Sequence, residues 1–294
     1  MRTYIIAEAG VNHNGSLEIA LELVDKAKES GADAIKFQTF TAENLVKKDT
    51  PQADYQKANM NTAQSQFEML KKLELSKDDH FKLLSYCSQR KIDFLSSPFD
   101  DGSFEFLADS LKLTRIKLGS GEITNGPLLM KIAQRGIELI LSTGMSTLGD
   151  IETALGCLAF GYLKIETQPT IEDFINVYSK PEALEILKKK VVLLHCTSEY
   201  PAPVKDVNLR VIPTLIDVFG IPVGYSDHTQ STVIPSAAVA LGAEVIEKHF
   251  TLGREMKGPD HKASIEPDEF KSMVNNIRDV EKALGGTRKI VTSM

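Results

Sequence analysis

The sequence predicts an α/β fold of the (β/α)8 TIM barrel type, and three observations carry that expectation. Short apolar runs of strand length alternate with longer amphipathic segments along the chain. Eight such units can be counted. Gly31, Gly136, Gly220 and Gly242 each fall between a helical pattern and the next strand, where a left-handed cap favours glycine. No G-x-G-x-x-G follows the first strand, which disfavours the main competitor, an open doubly wound sheet.

Taken in order, the first strand covers 4–9 and the amphipathic stretch 17–30 follows it as a helix. The second strand, 34–38, leads into 41–66, a polar segment with little periodicity that reads as a lid or substrate-facing loop. Helix 77–90, strand 93–97 and helix 103–111 come next, then strand 115–119 and helix 126–134. Strand 138–143 and helix 148–159 precede an excursion at about 161–190, which holds Pro169, Pro181 and the helix-like PEALEILKKK. Its place between a helix and the next strand puts it on the face opposite the strand ends that carry chemistry. Strand 191–196, helix 209–219, strand 222–226, helix 233–241 and strand 244–249 complete the alternation, and 267–284 is the closing helix. The segments 67–75 contribute Phe67, Leu70, Leu73 and Leu75, expected as core or lid packing. The whole of 1–294 reads as one catalytic barrel domain.

Composition bounds the function. The 294 residues are 42% hydrophobic and 25% charged, the balance of a globular chain with a large core. With 34 basic and 40 acidic residues the formal charge is -6, and no block of five like charges offers a nucleic-acid surface. Cys87, Cys157 and Cys196 are widely spaced, with no paired metal spacing, and suit a reducing cytoplasm. No run is long enough to cross a membrane, and the first residues enter a strand pattern without a leader, so a cytoplasmic protein is expected.

Chemistry in such a barrel gathers at the C-terminal strand ends. Those ends carry Glu8, Lys36, Gln38, Ser97, Lys117, Ser120, Glu122, Ser142, Ser198, Tyr200, Ser226, Asp227, His228, Lys248 and His249. Lysines inside apolar strands are costly unless paired. Lys36 and Lys117 either pair with interior carboxylates such as Glu8 or Glu122, or hold an anion together with the neighbouring serines. His228 and His249, on successive strand ends, are candidate ligands for one divalent cation; His13 has a weaker claim, and Asp227 could orient an imidazole or meet substrate. Nitrogen and oxygen ligands admit manganese, magnesium, cobalt or zinc. Cys196 reads as a small buried hydrophobe.

The motifs at these ends resemble those of the sialic acid synthase family. They are IIAEAGVNHNG at 5–15, GADAIKFQT at 31–39, FLSSPFD at 94–100, KLGSGEITN at 117–125, ILSTGMST at 140–147, LLHCTSEYPAP at 193–203, GYSDHT at 224–229, and VIEKHFTL and GPDHKAS beginning at Val245 and Gly258. The resemblance implies condensation of phosphoenolpyruvate with the open-chain aldehyde of an N-acylated amino sugar, with phosphate leaving by C–O cleavage. It implies a divalent metal, manganese foremost, with magnesium or cobalt possible, on His228 and His249. It places phosphoenolpyruvate on Lys36, Ser97, Lys117, Ser120, Ser142, Ser198 and Ser226. Glu8, Gln38, Glu122, Tyr200 and Asp260 would face the sugar or the reacting carbons, with Glu8 positioning the sugar, Asp260 binding a sugar hydroxyl and Glu122 handling the attacking water's proton. Glu8, Glu122 and Lys117 are then the expected catalytic residues. The resemblance also implies a homodimer; many family members continue into a C-terminal antifreeze-like domain that reaches across the dimer, and no counterpart of it is expected within 1–294. Two other readings fit the residues alone: a different metal-assisted barrel hydrolase or aldolase, and a barrel that binds sugar without catalysis.

Overall fold

The computed structural model describes residues 2–51 and 65–289. Its eight strands are β1 (Tyr4–Gly10), β2 (Ala34–Thr39), β3 (Asp93–Pro98), β4 (Arg115–Leu118), β5 (Glu138–Ser142), β6 (Val191–Cys196), β7 (Val223–Asp227) and β8 (Val245–His249). All pairings are parallel, and the order β3-β2-β1-β8-β7-β6-β5-β4 brings the last strand back onto the first. Every predicted strand is present within about a residue of its expected bounds, in a nearly closed barrel. β3 and β4 are the two ends of the hydrogen-bonded order.

The period of two along a strand divides each one between two environments. Ile5, Ala7, Ile35, Phe37, Leu193 and Tyr225 belong to the large layer between barrel and helices. The alternate residues Ile6, Ala34, Leu95, Ile140, Leu194 and Val245 form a separate buried cluster inside the barrel. That cluster is an apolar floor. Two residues further along the same strands stand Glu8, Lys36, Ser97, Ser142, Cys196 and Glu247, so one step of the repeat turns the interior from oily to ionic.

The helices follow from local signals. Helix α1 (Leu17–Glu29) is capped by Ser16, whose hydroxyl accepts from the Ile19 amide, and it buries Ala20, Leu23, Val24 and Ala27 at helical spacing. Helix α2 (Ala42–Leu45) lies in the stretch 41–66 expected to be loop, whose residues 52–64 are outside the described part, and α3 (Gln66–Leu73) begins at its end and carries the apolar residues expected as core or lid packing. A capping box between Ser65 and Glu68 starts α3, a signal visible in the sequence. Its residues Met69, Leu70 and Leu73 join Val11, Phe40 and Ala42 in a small satellite core beside the mouth.

Helix α4 (Lys77–Arg90) matches its expected bounds; α5 (Asp101–Glu105) continues into a wider turn, Phe106–Ser110. Helices α6 (Gly126–Gln134) and α7 (Leu148–Tyr162) follow, and the excursion holds two more, α8 (Ile171–Tyr178) and α9 (Pro181–Lys190). The set ends with α10 (Val211–Phe219), α11 (Ile234–Ala240) and α12 (Pro267–Leu284). Gly220 closes α10 with φ of 63°, the left-handed cap that the sequence predicts there. No helix among the described residues is long and apolar enough to cross a membrane.

Candidate active site

The ionic layer opens at the C-terminal mouth into a cavity of about 380 Å³ lined by inward residues at or just beyond the ends of the strands and by α3. Its base is a buried cluster of two cations and two carboxylates. Lys36 Nζ lies 2.7 Å from Glu8 Oε2 and 3.5 Å from Glu247 Oε2, and Lys117 Nζ lies 3.3 Å from Glu247 Oε1. Lys36 also donates to Ser97 Oγ at 3.2 Å, and Ser226 Oγ donates to Glu247 Oε1 at 2.8 Å. Burial of four charges is tolerable because they alternate in sign and are hydrogen-bonded.

The two carboxylates differ in kind. Burial pushes Glu8 up to about 7, against the opposing pull of Lys36. Burial acts on Glu247 in the same direction but is overcome by Lys117 and Lys36, which hold it far below the usual carboxylate range. One carboxylate can therefore exchange a proton near neutrality while the other remains a fixed negative charge.

Hydroxyls surround this base. Ser142 Oγ is buried without a hydrogen-bond partner, and the Gly144 amide donates to Ser120 Oγ at 2.9 Å. Ser120 Oγ is 3.2 Å from Cys196 Sγ, and Ser198 shares the same wall. A Cβ at Gly144 would come within 2.5 Å of Ser198 Oγ, 2.8 Å of Ser120 Oγ and 2.9 Å of Cys196 Sγ, so glycine lets the backbone close on this cradle. Lysines and hydroxyls converging on one space make a binding place for a compact anion.

The histidine pair stands beside it. The rings of His228 and His249 are 5.7 Å apart between centroids, and Tyr200 stacks on His228 at 4.1 Å. His228 Nδ1 donates to the Thr197 carbonyl at 2.5 Å, which leaves Nε2 with its lone pair. Ser226 Oγ is 3.2 Å from that nitrogen, yet its one proton goes to Glu247. His249 Nδ1 is buried with no hydrogen-bond partner. Burial lowers His228 to about 4 and lowers His249 well below its ordinary value, so both rings are neutral at physiological pH. Neutral imidazoles with uncommitted nitrogens fit a divalent cation. No group of three or more His, Cys, Asp or Glu able to hold a metal occurs among the described residues, so the fit rests on these two rings.

Gln38, Tyr200 and Asp260 line the outer cavity. The Gln38 amide lies 3.5 Å from Glu8 Oε1, and burial raises Asp260 to about 6. Val11, Phe40, Leu45, Met69, Leu70 and Leu73 give the same region an apolar wall.

Several expectations need correction. Glu122 is not among the lining residues; it lies in the turn Ser120–Glu122 and its carboxylate accepts from Asn125 Nδ2 at 2.8 Å. Lys117 pairs with Glu247, not with Glu122, whereas Lys36 does pair with Glu8. Ser226 stands behind Glu247 rather than on the cavity wall. Asp227 and Lys248 sit at the other parity of their strands and pair with each other at 2.6 Å, away from the cavity. His13 is buried outside the lining. Cys196 is buried as expected but forms part of the wall. Glu247 escaped the sequence reading although the parity of β8, which points His249 inward, points Glu247 inward as well.

The profile of the NeuB family matches residues 23–289. The chain is 48% identical to N,N'-diacetyllegionaminic acid synthase of Legionella pneumophila over 289 residues, 98% of this chain and 75% of that protein. It is 36% identical to human N-acetylneuraminate-9-phosphate synthase, over 97% of this chain and 72% of the human one. Among solved structures, the N-acetylneuraminic acid synthetase of Leptospira borgpetersenii in complex with citrate superposes with a TM-score of 0.79 at 32% identity, covering 100% of this chain and 88% of that one. With a barrel of the same build and this similarity along nearly its whole length, the chain belongs to the NeuB family of synthases.

Proposed function

We propose that this enzyme condenses phosphoenolpyruvate with the open-chain aldehyde of an N-acylated amino sugar, giving a nine-carbon 2-keto sugar acid and inorganic phosphate. The observation that carries this reading is the shared cavity, in which the Lys36–Lys117 anion base adjoins the His228–His249 pair. Phosphoenolpyruvate binds through Lys36, Lys117, Ser97, Ser120, Ser142 and Ser198, its negative charge competing with Glu8 and Glu247 for the ammonium groups. His228 and His249 would hold a divalent cation, manganese by preference, which would supply Lewis acidity toward the aldehyde oxygen. Gln38, Tyr200 and Asp260 hold the sugar.

The methylene carbon of the enolpyruvate forms the new bond to the aldehyde carbon, whose oxygen takes up a proton from solvent. The enolpyruvate C2 becomes cationic, water adds to it, and Glu8 accepts the proton that water loses. Glu8 suits this because it faces the cavity with a carboxyl near neutrality, whereas Glu122 is turned to Asn125. The resulting hemiketal phosphate then breaks its C–O bond to release phosphate and the ketone.

The test is to supply phosphoenolpyruvate and manganese with a panel of amino-sugar aldehydes, neutral and phosphorylated, and to follow phosphate release and product mass. Release that requires one of the sugars, with a product of the condensed mass, is expected. Release without any sugar, or none with the whole panel, would overturn the reading.

A further inference from the structure

On the outer face of β7 and β8, directly behind the two histidines, lies a buried ion pair that the proposed chemistry does not use. Asp227 and Lys248 are register partners, and their side chains are 0% exposed. Lys248 Nζ donates to Asp227 Oδ2 at 2.6 Å, to the Thr229 carbonyl and to the Ser231 carbonyl at 3.1 Å. All three ammonium protons are used. Asp227 Oδ1 accepts from Tyr225 OH at 3.0 Å and from the Thr229 amide at 2.9 Å. The chain is thus fixed on both sides of His228, and the cation that fixes it is the residue before His249.

We propose that the Asp227–Lys248 pair positions His228 and His249 relative to each other for a shared divalent cation, a role that rests on the metal reading given above. Stability need not be the reason for the pair. Buried ion pairs replaced together by neutral groups of similar size often leave stability unchanged or improved, and the placement of this one offers a geometric role. The strand period supplies the coupling: whatever holds positions 227 and 248 on the outer face sets the positions of 228 and 249 on the inner face. Without the ammonium, the Thr229 and Ser231 carbonyls would lose their tie to β8, and His228 would be held from the β6 side, by its Nδ1 bond to the Thr197 carbonyl and by the Ala202 amide donating to its own carbonyl, with no such tie to His249.

The experiment compares metal-free wild type with the double variant Asp227→Asn/Lys248→Met, reading Mn2+ uptake by electron paramagnetic resonance, phosphoenolpyruvate affinity without metal by calorimetry, and thermal melting. The expected result is a cooperative melt near wild type, phosphoenolpyruvate affinity within about threefold, and Mn2+ affinity reduced at least about tenfold, as for other residues that orient metal ligands. Unchanged Mn2+ affinity in the folded double variant would overturn the proposal. Should that variant fail to fold, Tyr225→Phe decides, since it removes one hydrogen bond to Asp227 and leaves the pair in place. Mn2+ affinity lowered about threefold at unchanged phosphoenolpyruvate affinity supports the role, and no change overturns it. Wild type that binds phosphoenolpyruvate but no Mn2+ would overturn the metal reading and this one with it, an outcome distinct from equal uptake by wild type and variant.

Discussion

Glu8 is where chemistry and burial meet at the scale of one residue. The residue is 2% exposed, and its carboxyl touches Lys36 and is raised to about 7 by desolvation. As the acceptor of water's proton it must be ionised in the free enzyme, so kcat/KM is expected to rise with pH through about 7 and level off above it. Glu8→Gln should abolish that limb and lower kcat about 10²- to 10⁴-fold, while Glu122→Gln retains the limb and most of the rate. A pH–rate series on the three proteins checks this, and an unchanged limb in Glu8→Gln would remove Glu8 from the role. Lys36, Lys117, His228 and His249 stand out in the sequence because polar groups in apolar strands are conspicuous, and the structure brings all four to one cavity. Glu122 could not be placed from the sequence because a turn, unlike a strand, has no parity to say where its side chain points.

At the scale of elements, the strands were legible to within about a residue because each is a short apolar run bounded by glycine or polar residues. Helix α3 starts where the polar segment 41–66 ends, and its first turn is announced by its cap. Ser65 accepts from the Glu68 amide at 3.2 Å while Glu68 returns a bond to the Ser65 amide at 3.0 Å. Ser65→Ala is expected to cost α3 about 1 kcal/mol, seen as roughly fivefold faster amide exchange over residues 66–73 with the barrel strands unaffected. Because α3 carries Met69, Leu70 and Leu73 to the outer cavity, the same variant should weaken sugar binding more than phosphoenolpyruvate binding. Equal loss for both substrates, or unaltered exchange, would separate α3 from the sugar side.

The whole molecule divides its labour between two faces. Strand C-termini carry the cavity, and the excursion containing α8 and α9 enters β6 from the opposite end. Ile171 and Ile175, 69% and 61% exposed on α8, are therefore expected to tolerate Asp with kcat/KM within about twofold of wild type and stability within about 0.5 kcal/mol, measured by steady-state kinetics and urea unfolding. A large kinetic loss from either change would show that the two faces communicate. What composition and periodicity could not supply at this scale is the joining of distant segments: Glu8, Lys36, Lys117 and Glu247 become one cluster only because closure brings β8 beside β1.

The central claim, that water attacks carbon at the base of this cavity, is tested most directly by phosphoenolpyruvate labelled with ¹⁸O in the oxygen bridging carbon and phosphorus. Phosphate released in the presence of the amino sugar should retain the bridging label, since the C–O bond breaks. Phosphate that instead takes its new oxygen from solvent, leaving the label on the organic product, would contradict the account.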